Sequence, residues 1–261
     1  MLKKRVILTQ LGWPYSDEYY LPLSSGMLAA MCKVDSTFNE YYEIDPWLRF
    51  ARDDPQKIVD GFEVPPDILG LSCYVWCEQI SLEVARLTKE RFPTCLVVFG
   101  GPSVTDHYYA KTLLRAQPYV DVIVHGEGEQ TFLDLCLSHA RRPYREQVPV
   151  DRDAREYKKD MIPGTALVSS GHYLAAPARA REKNLDRFPS PFLDGTFDRL
   201  LQQPAAKEVK FAAIWEPDRG CLARLPALSV STGTRLFRSR IALFVPQRKN
   251  TARSVSRARM A

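Results

Sequence analysis

Residues 67–76 read DILGLSCYVW, and after an interval of helical period residues 97–103 read VVFGGPS, followed by DVIVHGEGEQTFLDL at 121–135. Each begins as a short apolar run rich in β-branched residues and breaks at small or turn-forming residues, the form of a buried parallel strand feeding a βα loop. Working outward, candidate strands fall at Arg5–Gln10, Asn39–Ile44, Ile68–Val75, Cys95–Phe99 and Val120–His125. Helices are expected at Leu23–Lys33, Pro55–Phe62, Glu78–Arg91, Tyr108–Ala116 and Glu129–Ala140, the third carrying Ile80, Val84 and Leu87 on one face. Strict alternation of five strands and five helices predicts an α/β fold: a doubly wound, flavodoxin-like (Rossmann-like) five-stranded parallel sheet of order 2-1-3-4-5.

Such sheets bind ligands beyond the carboxyl ends of their strands. There the chain places Gly12-Trp13-Pro14, then Ser72 to Trp76, then Gly100-Gly101-Pro102-Ser103, then Gly126-Glu127-Gly128-Glu129. Glycine lets a ligand approach the backbone, and the helix starts that follow offer free N–H groups. A single loop of this kind needs no more explanation than turning the chain. Four on one edge point to a ligand site.

The 261 residues carry a net charge of +5, distributed unevenly. Residues 222–261 contain eight Arg, one Lys and no Asp or Glu, so the 221 residues before them are net acidic. No apolar run approaches the roughly 18 residues that cross a bilayer, and Lys3-Lys4-Arg5 leads into only a short apolar stretch, so a cytoplasmic chain without a membrane span is expected. Six scattered cysteines, several within apolar segments, suit a reducing compartment rather than a disulfide framework. Arg141 to Lys159 is a charged linker, and Met161 to Ala175 alternates as a small hairpin does.

The ordered series at 67–76, 97–103 and 121–135 resembles the cobalamin-binding domain that precedes the barrel of cobalamin-dependent radical S-adenosylmethionine enzymes. Residues 185–195, LDRFPSPFLDG, resemble that family's connector, and residues 214–221, IWEPDRGC, its first barrel strand ending in the first cluster cysteine. The resemblance covers roughly residues 3–221 and implies a cobalamin-binding domain at 1–140, linker and connector at 141–207 and an incomplete barrel start at 208–221; composition sets off 222–261 as a basic tail, expected to be disordered. The resemblance also implies a corrinoid held by Gly12, Trp13, Ser72, Tyr74, Val75, Trp76, Gly100, Gly101, Pro102, Gly126, Glu127 and Gly128, its nucleotide tail beside the Ser72, Gly100-Gly101 and Gly126 loops. The Asp-x-His-x-x-Gly signature of a histidine cobalt ligand is missing from the loop after the first strand, which reads Leu11 to Tyr15. The expected state is therefore base-off and histidine-off, with Tyr74, Val75 or Trp76 facing the lower side of cobalt.

The remaining candidates take ordinary roles. His107 and His125 are read as polar or capping residues, with His139 and His172 outside the pocket. Cys73 and Cys77 open a Cys-x3-Cys spacing, but Ile80 stands where a third thiol belongs, so they are a buried strand cysteine and a helix-start cysteine. Glu127 and Glu129 are expected to cap a helix start.

The iron-sulfur cluster and S-adenosylmethionine of full-length relatives need Cys-x3-Cys-x2-Cys. Counting from Cys221, a vestigial metal ligand, those positions hold Leu225 and Leu228. Radical catalysis is thus not expected of this chain. A break inside a motif, followed by a carboxylate-free tail, is what a shifted reading frame in a GC-rich gene produces. The rival readings make the tail a nucleic-acid-binding arm, for which aromatic interleaving is lacking, or make the whole chain a non-catalytic flavodoxin-like interaction or nucleotide-binding module.

Overall fold

The computed structural model describes residues 2–15, 17–141, 144, 161–216 and 242–244. The chain divides into two compact units, Met1–Phe211 and Ala212–Ala261. In the first, β1 (Lys4–Gly12) is followed by the short β2 (Glu18–Tyr20), α1 (Leu23–Lys33), α2 (Ser36–Tyr41), β3 (Tyr42–Ile44), β4 (Arg49–Ala51) and α3 (Pro55–Asp60). Then come β5 (Ile68–Ser72), α4 (Glu78–Arg91), β6 (Leu96–Gly100), α5 (His107–Ala116), β7 (Val122–Val124) and α6 (Glu129–Arg141). The hairpin β8 (Thr165–Ser169) and β9 (His172–Ala175), α7 (Thr196–Leu201) and the start of β10 (Lys210–Trp215) complete it.

The sheet order is β3-β1-β5-β6-β7-β8-β9, with β4 also pairing along β1. The first five strands of that order are parallel and reproduce 2-1-3-4-5, and the hairpin adds two antiparallel strands at the β7 edge. Period-two alternation divides the core. Ile7, Leu69, Leu71, Val97, Phe99 and Ile123 meet residues of α3, α4 and α5, such as Val59, Val84 and Leu113. On the other face α1 packs against α6. The inner strands β5, β6 and β7 are therefore buried on both sides, which is why their sequences read as apolar runs, whereas the edge strand β3 alternates, with Glu43 exposed between Tyr42 and Ile44.

Carboxylates at the amino ends of the strands, one buried and one half-buried, tie neighbouring strands together. Asp121 is fully buried; its Oδ2 accepts from the Val97 N–H at 2.7 Å and pairs with Lys89 at 2.6 Å. Asp67 Oδ2 likewise accepts from the Arg5 N–H at 2.7 Å.

Two strand expectations need correction. Residues 39–41 belong to α2, because Asp35 caps that helix through the Phe38 N–H at 2.7 Å and holds the chain helical until Tyr42. The strand expected to run to Val75 stops at Ser72, since the Cys73 carbonyl turns to accept from the Ser103 N–H and residues 74–77 form a turn leading into α4.

The connector packs on α1. A Cβ on Gly26 would lie 2.6 Å from the Phe197 ring, so glycine in the helix interior is what admits Phe197. Lys33 at the end of α1 donates to Thr196 Oγ1 at 2.7 Å and lies 3.7 Å from Asp194. Most of the linker at 141–159 lies outside the described residues, as do Cys221, Leu225 and Leu228. In the second unit Ala213–Trp215 pair antiparallel with β11 (Ala242–Phe244). Among the described residues no helix is long and apolar enough to cross a membrane.

Candidate functional site

The sheet reverses its winding between β1 and β5, and at their carboxyl ends a hydrogen-bonded group spans the reversal. Gln10 Oε1 on β1 accepts from both the N–H and the hydroxyl of Ser24 at 2.8 and 2.7 Å, and the Ser24 hydroxyl lies 2.9 Å from that of Ser72 at the end of β5. The start of α1 is thereby pinned over the crevice where doubly wound folds accept ligands. Neither Gln10 nor Ser24 stands out in the sequence, because their roles depend on strands that are adjacent only in the folded sheet.

Around this group the four loops gather as their spacing implies. Gly101 has φ +109°, and a Cβ there would sit 2.8 Å from the Cys73 carbonyl oxygen and 3.1 Å from its nitrogen. The β5 and β6 loops therefore touch backbone to backbone, and Pro102 opens the single 3-10 turn that follows. Gly100 and Gly128 lie beside Val124, whereas a Cβ on Gly126 would meet nothing within 4 Å. The edge thus combines a tight turn at β6 with open backbone at β7, a cradle that suits a bulky ligand.

Large apolar side chains stand exposed on the same edge. Trp13 is 60% exposed, Val75 83% and Trp76 53%, while Tyr74 is half-buried against the core and stacks under Trp76 with ring centroids 4.6 Å apart. Exposed aromatics clustered on one edge mark a binding surface rather than a packing remainder. Arg52, which sequence reasoning passed over, joins the two loops: its guanidinium carbon lies 4.7 Å from the Trp13 ring centroid, and its Nη1 donates to the Trp76 carbonyl at 2.9 Å.

The titratable groups nearby are tied down. His125 and His107 pack ring to ring at 4.3 Å, and His107 Nδ1 lies 3.1 Å from the Tyr173 hydroxyl. Burial, aided by His107, pushes the His125 imidazole down to about 4. Burial likewise pushes the Cys73 thiol up to about 12, and this cysteine is buried as expected but lies just past the end of β5 rather than in the strand, whereas Cys77 is buried at the start of α4 with Sγ 3.2 Å from the Ser72 carbonyl oxygen, as its spacing implied. Glu129 begins α6 and is buried. The expectation for Glu127 changes: its carboxylate accepts from the Glu182 N–H at 3.3 Å, across to the connector. No cluster of three or more metal-ligating side chains occurs among the described residues.

Residues 26–136 match the B12 binding domain family. Over 206 residues the chain is 34% identical to the cobalamin-dependent radical SAM methyltransferase TokK of Streptomyces tokunonensis, covering 78% of this chain and 28% of that protein. It is 35% identical over 207 residues to the 2-(S-pantetheinyl)-carbapenam-3-carboxylate methyltransferase of Streptantibioticus cattleyicolor, covering 77% and 27%. Over 157 residues it is 27% identical to the anaerobic magnesium-protoporphyrin IX monomethyl ester cyclase of Rubrivivax gelatinosus, covering 60% and 25%. The chain spans less than a third of the length of each of these relatives.

Proposed function

We propose that this chain, whose residues 26–136 match the B12 binding domain family, holds a corrinoid on the carboxyl edge of its sheet, over the loops after β1, β5, β6 and β7. The observation that carries this placement is the exposed apolar surface of Trp13, Val75 and Trp76 beside the β1/β5 reversal. The residues fit the group. Gly101 and Gly126 give backbone access, Ser24 and Ser72 offer hydroxyls to a polar nucleotide tail, and Val75 and Trp76 give the ring an apolar seat.

A corrinoid bound there supplies a cobalt centre able to accept and pass on a methyl group. The chain's own contribution is to bind the ring, exclude water from one face and withhold a side-chain ligand from the metal. His107 Nδ1 faces the Tyr173 hydroxyl, the His125 ring packs against that of His107 with both its nitrogens buried, and the loop after β1 contains no histidine. An apolar, non-coordinating face disfavours the higher-valent, ligand-seeking states of the metal and so favours its reduction.

The relatives named as methyltransferases support methyl transfer as the activity of a longer protein containing such a module. With Leu225 and Leu228 in place of two thiolates, the chain as written is assigned corrinoid binding without the radical step. Purified protein should bind hydroxocobalamin at about one per chain. Its bound cob(II)alamin should show no axial nitrogen splitting by electron paramagnetic resonance, in the wild type and in His125→Ala alike. Absence of binding would overturn the reading, and a nitrogen triplet lost in His125→Ala would overturn the histidine-off assignment.

A further inference from the structure

Arg52 is the one cation that touches both aromatic loops on the ligand edge among the described contacts, and its geometry exceeds what loop packing needs. The ladder between β1 and β4 runs through Gly12 and Ala51 and ends with the Arg52 N–H donating to the Gly12 carbonyl at 3.1 Å, so the Arg52 backbone is fixed at the rim. From there the side chain reaches across the β1/β5 reversal, places its guanidinium on the Trp13 ring and donates to the carbonyl of Trp76. Trp13 and Trp76 lie 63 positions apart in sequence, and this one side chain links them. No carboxylate pairs with Arg52 in the described ion pairs, although Asp53 and Asp54 follow it directly: Asp53 pairs with Lys57, and Asp54 caps α3. Its charge is left facing the ligand edge.

We propose that Arg52 is a positioning residue of the corrinoid site, one that clamps the Trp13 and Trp76 loops into a single seat and presents a fixed positive charge to the ligand resting on it. The proposal rests on the corrinoid reading above. Two consequences follow from physical chemistry alone. A guanidinium stacked on one loop and hydrogen-bonded to the other lowers the ordering cost of forming the seat, so removing it weakens binding. A positive charge held beside a metal centre favours the state with one more electron, so removing it makes the centre harder to reduce.

The test uses the full chain loaded with hydroxocobalamin, comparing wild type, Arg52→Lys and Arg52→Gln. Dissociation constants and the cob(II)/cob(I) midpoint potential are read by visible spectroscopy, and thermal unfolding of each unloaded protein is recorded alongside. Arg52→Gln should bind about tenfold more weakly, from loss of the charge-assisted hydrogen bond and the ring contact, and its midpoint should move to more negative potential. Arg52→Lys keeps the charge but not the planar fork, so it should recover the potential while recovering affinity only in part. Wild-type affinity and potential in Arg52→Gln, with wild-type protein binding normally, overturns the role of Arg52 and leaves the corrinoid reading intact. A loss of affinity shared equally by both variants, with potentials unmoved, reduces Arg52 to loop packing and overturns the electrostatic half. Failure of the wild type itself to bind overturns the reading on which the proposal stands. Arg52 is partly exposed, and matching unfolding curves for the three proteins tie any change to the site rather than to folding.

Discussion

The hydroxyls of Ser24 and Ser72 lie 2.9 Å apart, one at the start of α1 and the other at the end of β5, and both belong to a group anchored on Gln10 of β1. Forty-eight residues of chain separate them, yet they form the floor of the crevice between the two strands where the sheet changes its winding.

Filling that floor should close the site without disturbing the core beneath it. Ser72→Leu is expected to weaken hydroxocobalamin binding at least about tenfold, whereas Ser72→Ala, which removes one hydroxyl worth about 1 kcal/mol, should cost no more than about fivefold. Isothermal titration of the two variants checks this, and equal affinities would place the ligand elsewhere.

Gly101→Ala is expected to destabilise the fold itself. The residue sits at φ +109°, and the added Cβ would meet the Cys73 backbone at 2.8 Å, an atom that does not yield as a flexible side-chain tip would. The strain should cost about 1–3 kcal/mol in urea unfolding. Stability equal to wild type would mean that the β5 and β6 loops can separate freely.

Asp121 ties the start of β7 to β6 from within the core. Asp121→Ala strips a fully buried partner from the Val97 N–H and from the Lys89 ammonium, which keeps only the Cys95 carbonyl among its described contacts. Breaking such a pair costs about 3–5 kcal/mol, mostly because the surviving charge is left uncompensated. A loss below about 1 kcal/mol in denaturant unfolding, the range of surface pairs, would show that Lys89 simply turns to solvent.

Acid sensitivity follows from two imidazoles. Burial holds His125 and His139 down to about 4, His107 adding to the effect on the first and Lys4 on the second, against 6.5 for the free group. As pH falls, the unfolded chain takes up these protons first, so their contribution is intact above pH 6.5 and is lost progressively toward pH 4. His139 Nδ1 also accepts from the Tyr144 N–H at 3.1 Å, a bond that protonation removes. The melting temperature should decline over that window and decline less in the His125→Gln/His139→Gln double variant. An undiminished decline in that variant would assign the acid slope to carboxylates instead.

By itself the sequence determined the layered α/β fold and its strand order, because strands buried on both faces must be written as short apolar runs, and runs separated by amphipathic helices leave few ways to wind a sheet. α1 and α4 fall at the bounds read from their periodicity, and the glycine-bearing loops gather on one edge because every parallel strand points its carboxyl end the same way. The end of the β5 strand was misread because Cys73, Tyr74 and Val75 are apolar enough to continue it; only the Gly101 turn stops the ladder at Ser72. Residues 39–41 were misread because Asp35, the cap that makes them helical, lies before the window in which strand character was judged. What tertiary structure alone decided is which side chains meet across the β1/β5 reversal: Gln10 with Ser24 and Ser72, and Arg52 with Trp13 and Trp76. Period and composition constrain which face a residue occupies, but contacts between residues forty or sixty positions apart depend on strand adjacency and loop length, and these are fixed only when the sheet closes.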